Sequence, residues 1–276
     1  MGRSDGTLVR NMPGIDKLIP YIMNRRYDAT NFCKVEFDMT NLHAFLRKLR
    51  AEGHKIGIMD AVIMAFALAM QKVPEVNRFV AGKKVYQRNH FCVSFVILKR
   101  GEGGQLDETA VKVYIEPEDT LLTVSQKMRE IIQENQKIES KNDMDRLINR
   151  LVSVPLLPGF LIGLFKWMDR RGILPKAFIR LSPFHTSMFL SNLASIQMDH
   201  VYHHLYDFGT TSLFVTMGKP SRVSGPEDKE KRVMTLGMSL DDRICTGAVW
   251  AKALFELKRN MEHPELLLGP EGKGIK

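Results

Sequence analysis

Apolar residues recur with two different periods along this chain of 276 residues, and their alternation constrains the fold more than any other feature. Strand-like segments are apolar at every second position or in short runs, whereas helix-like segments are apolar at every third or fourth position. Predicted helices cover 15–25, 42–52, 59–72, 123–137 and 248–261, and predicted strands cover 33–39, 91–98, 111–115, 187–193 and 211–217, with a turn at 101–104. This alternation predicts an α/β or α+β layer fold. With no internal repeat or low-complexity linker, we expect one domain over 1–276.

Composition and charge narrow the classes of partner. A hydrophobic content of 44% can fill the core of one large domain. The three cysteines are far apart and match no metal-site spacing, which favours a reducing compartment. A net charge of +9 favours anionic ligands, but no zinc-finger, KH or RNA-recognition pattern is present, so we expect no nucleic-acid partner. The polar N-terminus lacks an apolar signal segment, and a cytoplasmic location is expected.

The stretch Gly237–Gly247 reads Gly-Met-Ser-Leu-Asp-Asp-Arg-Ile-Cys-Thr-Gly and precedes an amphipathic helix pattern. It resembles the Ser-x-Asp-His-Arg-x-x-Asp-Gly signature of the acyltransferase component of 2-oxo acid dehydrogenase complexes. It is also similar to the His-His-x-x-x-Asp-Gly of the related chloramphenicol acetyltransferase. Asp241 and Arg243 fit this frame, as does the final glycine. Asp242 stands where the family has its catalytic histidine, and Thr246 replaces the following aspartate.

Four further segments resemble this family in the family's own order. They are the apolar helix with its Val73-Pro-Glu-Val-Asn77 turn within 55–79, Asn89-His90 with the apolar run 91–98, Ser191-Asn192-Leu193 followed by Ala194 in place of glycine, and Phe214-Val-Thr-Met-Gly-Lys219. The resemblance implies a two-layer α/β sandwich with a mixed β-sheet, as in chloramphenicol acetyltransferase. It also implies acyl transfer between coenzyme A and a thiol or hydroxyl, and a homotrimer with active sites between subunits.

The chemistry of this family needs a general base and an oxyanion donor. Ser191 matches the family's oxyanion donor, whereas Asp242 occupies the position of the base. Deprotonating a thiol with an unperturbed aspartate is uphill by about 6 kcal/mol, against about 3 kcal/mol for histidine. An aspartate in this position is therefore expected to slow the reaction by about 10²–10⁴-fold.

Three interpretations follow for the altered site. In the first, one of the histidines that flank Ser191 in sequence replaces the missing base: His185, His203 or His204. In the second, the protein is an inactive relative that serves as a trimeric binding or scaffold protein. In the third, the same cleft carries out a different reaction, with Asp242 as a carboxylate base or as an anion that binds a ligand. The first is favoured because the Ser191-Asn192 pair and Arg243 remain, although a surface or core histidine is the commoner role for any one of the three.

The remaining matched residues have structural alternatives. Arg243 either forms a structural ion pair with Asp241 or another carboxylate, or it contacts a substrate. The structural ion pair is the commoner role. Thr246 indicates the loss of a structural ion pair or hydrogen bond of the family. Lys219 is a candidate contact for a coenzyme A phosphate, and a solvated lysine is an equal alternative. Cys245 is expected to be a buried, inert thiol rather than a nucleophile.

A helical apolar insertion at about 141–183 is the main departure from the family pattern. Basic residues flank its apolar run 154–168, which is shorter than the ~20 residues that a bilayer-spanning helix needs. Subunit or core packing is the first interpretation, a pocket for a lipophilic acyl substrate the second and a membrane surface the third. We expect no metal and no lipoyl attachment site in this chain, so another chain would supply any lipoamide. The Gly-rich end offers no hook for an assembly beyond a trimer.

Overall fold

The structure, a computed structural model, describes residues 3–100, 106–137, 153–224 and 230–269. Strands form a large and a small sheet. In chain order they are β1 Gly6–Leu8, β2 Thr30–Asp38, β3 Arg78–Ala81, β4 Lys84–Arg88, β5 Phe91–Arg100, β6 Leu106–Ile115, β7 Met188–Asn192, β8 Leu213–Met217, β9 Ser221–Ser224 and β10 Glu230–Asp241. The large sheet has the order β2-β10-β8-β7-β5-β6 with β9 beside β10, and the small one has the order β1-β4-β3.

Seven α-helices complete the described part of the chain. They are α1 Gly14–Ile22, α2 Thr40–Ala51, α3 Ile58–Lys72, α4 Leu121–Lys137, α5 Leu157–Arg171, α6 Lys176–Leu181 and α7 Gly247–Glu262. Pro20 lies inside α1, in its last turn. Asp60 accepts a hydrogen bond from the backbone N–H of Gly57 at 2.8 Å and so caps the start of α3.

The large sheet is mixed. β7 runs parallel to both β5 and β8, whereas the other neighbouring strands of the sheet pair antiparallel. One face packs on α2, α3, α4 and α7 in a single apolar core. Leu190, Val215 and Met238 point into this core from neighbouring strands. Alternation along each strand therefore turns Ser191 and Thr216 to the opposite face.

Most of the predicted elements lie where the sequence placed them. Helices α2, α3, α4 and α7 and strands β2, β5, β7 and β8 begin and end within a few residues of their predicted limits. The sequence missed β10 over Glu230–Asp241, the longest strand described, and the hairpin of β3 and β4. β3 and β4 are only four and five residues long, and β10 begins with three charged residues, so neither segment matches the apolar patterns that predict strands. The predicted turn at 101–104 lies outside the described residues.

The predicted insertion falls only partly within the described residues. Its described part contains α5 and α6, with Leu156 in the left-handed region at the start of α5 and Gly172 in that region at its end. No described helix is long and apolar enough to cross a bilayer.

Candidate active site

Ser191 lies near the carboxyl end of β7, where the neighbouring parallel strand β8 also ends. It pairs in register with Thr216, and its side chain is half-buried. The Ser191 hydroxyl makes no hydrogen bond to any described residue. It is therefore available as a donor to a bound oxyanion.

Asn192 ends β7, directly after Ser191. Its backbone carbonyl accepts a 2.7 Å hydrogen bond from the hydroxyl of Ser195. Its side-chain oxygen is buried and has no hydrogen-bond partner among the described residues. Lys219 lies just beyond β8 at the same end of the sheet and is exposed. The backbone N–H of Lys219 donates to the carbonyl of Met198 at 2.9 Å. The Lys219 ammonium group faces solvent.

His203 lies on the same face of the sheet as Ser191. Its ring stacks on Phe214 at a centroid distance of 3.9 Å and an interplanar angle of 10°. Phe214 stacks in turn on Phe189, two residues before Ser191, at 5.0 Å. The segment that carries His203 is held on the sheet by Thr216, which donates to the carbonyl of Val201 at 2.5 Å.

The protonation of His203 suits a base. Its Nδ1 lies 2.8 Å from the carbonyl oxygen of His204, and because a carbonyl only accepts, Nδ1 carries the proton in the neutral ring. Nε2 is then the acceptor. Burial lowers the pKa of His203, and the positive charge of His204 lowers it further, against the hydrogen bond to the His204 carbonyl. His204 is exposed and stacks on His203 at 4.3 Å.

His185 is not brought to Ser191, which corrects one of the three sequence candidates. It precedes the opposite end of β7 and is 0% exposed, so it faces neither solvent nor another subunit. Its Nδ1 is hydrogen-bonded with the Ser182 hydroxyl at 2.8 Å, and its Nε2 lies 3.4 Å from a carboxylate oxygen of Asp169. His185 is therefore a core histidine. It lies just before β7, where Ser182 after α6 and Asp169 of α5 enclose its ring.

The motif turn after β10 is held by a buried ion-pair cluster. Asp241 is 0% exposed and accepts two hydrogen bonds from the Arg243 guanidinium, at 2.8 Å and 2.7 Å, and a third from the Arg243 backbone N–H at 3.2 Å. Arg26 approaches the same carboxylate at 3.4 Å. The Arg26 guanidinium also donates to the carbonyls of Tyr206 and, at 3.0 Å, Gly209. Burial lowers the pKa of Arg26, and the adjacent Asp241 opposes that shift. Sequence reasoning missed Arg26, because no local pattern pairs it with a residue 215 positions away.

Asp242 and Thr246 flank this cluster but do not join it. The Asp242 backbone N–H donates to the carbonyl of Ala29 at 2.9 Å. Its half-buried carboxylate makes no hydrogen bond or ion pair to the described residues. Thr246 is exposed at the start of α7, and its hydroxyl makes no capping hydrogen bond. Cys245 is half-buried rather than fully buried as expected, and desolvation raises the pKa of its thiol to about 12, as an inert cysteine requires.

Ser191 and Asp242 lie at opposite ends of the large sheet. Ser191, Thr216 and Gly237 share one level across β7, β8 and β10. Asp241 is four residues further along β10, which is about 13 Å along the strand and two strand spacings, about 10 Å, across it. The two matched residues therefore cannot meet within one chain.

Known proteins resemble this chain in part of its sequence and in its fold. Residues 12–100 match the family model of the 2-oxoacid dehydrogenases acyltransferase catalytic domain. A probable dihydrolipoamide acetyltransferase from Listeria monocytogenes superposes with a TM-score of 0.59 and 16% identity, over 98% of this chain and 99% of that one. The chain has the fold of these acyltransferases. The resemblance drawn from the sequence is thereby confirmed, as is the two-layer α/β sandwich with a mixed sheet.

Two other solved structures share this acyltransferase fold. The dihydrolipoamide acetyltransferase of Azotobacter vinelandii, studied for the roles of a serine, a histidine and an asparagine in its catalytic mechanism, has a TM-score of 0.59 and 15% identity, over 95% of this chain and 94% of that one. A chloramphenicol acetyltransferase has a TM-score of 0.54 and 13% identity, over 93% of this chain and 99% of that one. No curated protein sequence matches the chain. No group of three metal-ligating side chains is present among the described residues.

Proposed function

We propose that this protein transfers an acyl group between coenzyme A and a thiol or hydroxyl acceptor, at an active site altered from that of its relatives. The observation that carries the proposal is that Ser191 and His203 lie on the same face of the large sheet. The Ser191 hydroxyl has no hydrogen-bond partner among the described residues. His203 is partly buried, and Nε2 is the acceptor nitrogen of its ring. No metal takes part in this scheme.

His203 replaces the base that Asp242 cannot supply. Nε2 of His203 removes the proton of the acceptor thiol or hydroxyl as its sulfur or oxygen attacks the thioester carbonyl. The tetrahedral oxyanion receives a hydrogen bond from the Ser191 hydroxyl. When the carbon–sulfur bond breaks, coenzyme A leaves and its sulfur takes the proton back from the His203 imidazolium. The lowered pKa of His203 supports this role, because the ring is then neutral near pH 7.

The opposite positions of Ser191 and Asp242 support a homotrimer, as in the enzymes the sequence resembles. In that arrangement Ser191 of one subunit faces Asp242 of the next, and Asp242 contributes a carboxylate that binds or orients the acceptor. Lys219, exposed at the Ser191 end of the sheet, would meet a phosphate of coenzyme A. Lipoamide, where it is the acceptor, would come from another chain.

A second candidate function is that of an inactive trimeric scaffold. Two residues favour the scaffold function: the Asp242 carboxylate has no partner among the described residues, and the Thr246 hydroxyl does not cap α7. Both positions would then have lost the interactions that the corresponding residues make in the family.

Coenzyme A binding and acyl transfer, measured together, separate the two functions. We expect calorimetry to detect binding of acetyl-coenzyme A, and transfer to small thiols to fall by about 10²–10³-fold in Ser191→Ala with binding unchanged. Removal of a hydroxyl that has no partner among the described residues should not unfold the chain. Absence of binding at millimolar acetyl-coenzyme A would leave the scaffold function.

A further inference from the structure

A cavity of about 610 Å³ lies between the end of α5 and the motif turn after β10. Four parts of the chain wall it in addition to Arg243: the segment 24–26 after α1, the tip of the β3–β4 hairpin, the last turns of α5, and the loop at 207–209. Its volume falls in the range of small-molecule sites, about 300–1,000 Å³. α5 belongs to the segment at about 141–183 that contains none of the matched sequence motifs, so this cavity is built partly from residues outside those motifs.

Close backbone contact fixes the walls of this cavity. Gly82, at the hairpin tip, has a φ of +55°, and a Cβ there would lie 2.5 Å from the carbonyl oxygen of Arg170. Asp169 on the same turn of α5 is anchored from below by Arg3 at 2.7 Å. The hairpin tip and the last turn of α5 are therefore in direct backbone contact beside the cavity.

The lining is strongly cationic. Six basic side chains and two carboxylates line it: Arg25, Arg26, Lys83, Lys166, Arg170 and Arg243, with Asp169 and Asp207. Arg26 and Arg243 are already held by Asp241, and Arg25 forms an exposed 3.2 Å pair with Asp207.

Three of these cations lack a carboxylate partner among the described residues. Lys166 and Arg170 make no ion pair or hydrogen bond there through their side chains. Lys83 donates only to the carbonyl of Pro20, at 2.9 Å, and to the side-chain oxygen of Asn24. Burial lowers the pKa of Lys83, and the charges of Arg243 and Arg170 lower it further, so the cations around the cavity repel one another. A bound anion would remove that repulsion.

We propose that this cavity binds the diphosphate group of a small molecule. Three unpaired cations on two walls match a group that carries two to three negative charges and offers oxygens in several directions. A guanidinium and two ammonium groups are the donors that proteins use for phosphate oxygens. The diphosphate belongs either to coenzyme A or to a separate phosphorylated compound. The proposal does not depend on acyl transfer.

The test is calorimetry of the full chain with inorganic pyrophosphate as the probe. We expect saturable binding to the wild type, weakened at least about tenfold in the double variant Lys166→Ala/Arg170→Ala. The matched control is Lys176→Ala/Arg180→Ala, which removes two exposed cations from the neighbouring helix α6, outside the cavity. The control should bind like the wild type. Lys83→Met is a second cavity variant that leaves α5 intact, and it should also weaken binding.

Two results would overturn the proposal: no pyrophosphate binding to the wild type at millimolar concentration, or an equal loss in the control, which would mean diffuse attraction to a basic surface. Competition then identifies the source of the diphosphate. Displacement of pyrophosphate by coenzyme A assigns the cavity to coenzyme A, and simultaneous binding assigns it to a separate compound. Acyl transfer is not measured in this experiment, so its failure and that of the proposed enzyme are distinguishable.

Discussion

At the scale of single residues, the burial and ring contacts of each histidine distinguish the three candidates for the catalytic base. Three histidines flank Ser191 in sequence: His185 is enclosed in the core, His204 is exposed, and His203 is partly buried and stacked on the His204 and Phe214 rings, with Nε2 left as an acceptor. Of these three, His203 combines partial burial with an Nε2 acceptor on the face that carries Ser191, and it is the residue that we propose as the base.

Substitution of His203 tests that role. We expect His203→Gln to lower the rate of acyl transfer about 10²–10⁴-fold, because the amide cannot take up the acceptor's proton. Binding of acetyl-coenzyme A, followed by calorimetry, should be unchanged. The control is His263→Gln, which alters an exposed histidine beyond α7. Full activity in His203→Gln would exclude this residue as the base.

The reactivity of Cys245 gives a prediction about pH. Because burial raises the pKa of its thiol to about 12, the reactive thiolate is a minor species at pH 8. Alkylation by iodoacetamide should rise about tenfold for each pH unit between 7 and 10, without a plateau, when followed by peptide mass spectrometry. A cysteine peptide should level off above its ordinary pKa, about 8.5. A plateau for Cys245 near pH 9 would contradict the burial of this thiol.

At the scale of elements, β10 organises the site, because it joins the Ser191 level of the sheet to the Asp241 cluster. Gly237 sits where the segment carrying His203 crosses this strand. A Cβ at Gly237 would lie 2.6 Å from the carbonyl oxygen of Val201 and 2.8 Å from the hydroxyl of Thr216. This is the same hydroxyl that holds Val201 on the sheet. A glycine is required here so that the segment can pack directly on the backbone of β10.

Replacement of Gly237 tests this contact. We expect Gly237→Ala to lower the free energy of unfolding by about 1–3 kcal/mol, because the added methyl group forces the 200–203 segment away from β10. Urea denaturation measures the change. Gly14→Ala is the control, since its Cβ would meet no described atom within 4 Å and the free energy should change by less than about 0.5 kcal/mol. Equal stability of the two variants would mean that the segment adjusts without cost.

At the scale of the whole molecule, the exposed apolar surface indicates assembly. Along α5 and the residue before it, an apolar stripe faces solvent in the single chain: Leu156, Phe160, Leu164 and Trp167. Arg171 ends the stripe with its guanidinium 5.3 Å from the centre of the Trp167 ring. A stripe of this extent is rare on monomers. Because this stripe does not pack into the core, it favours the interpretation of α5 as a subunit contact. The separation of Ser191 from Asp242 within one chain favours the same interpretation.

Sedimentation tests the assembly. We expect a trimer for the wild type, and Phe160→Ser should shift the equilibrium towards monomers at low micromolar concentration, because it removes apolar surface from a subunit interface. Phe255→Ser is a matched control, since both phenylalanines are 67% exposed but Phe255 lies on α7. Identical sedimentation of the two variants would remove the α5 stripe from the interface.

The sequence by itself determined the helices α2, α3, α4 and α7, the buried strands β5, β7 and β8, and the resemblance to the acyltransferases whose fold the chain shares. These features depend on apolar periodicity and on short motifs, which residues close in the chain encode. Only the tertiary structure decided that His203 lies on the face of the sheet that carries Ser191 while His185 is enclosed in the core, that Arg26 joins Asp241, and that α5 and the motif turn enclose a cationic cavity. The order of strands in a sheet brings together segments up to about two hundred residues apart, and no local spacing records which segments meet.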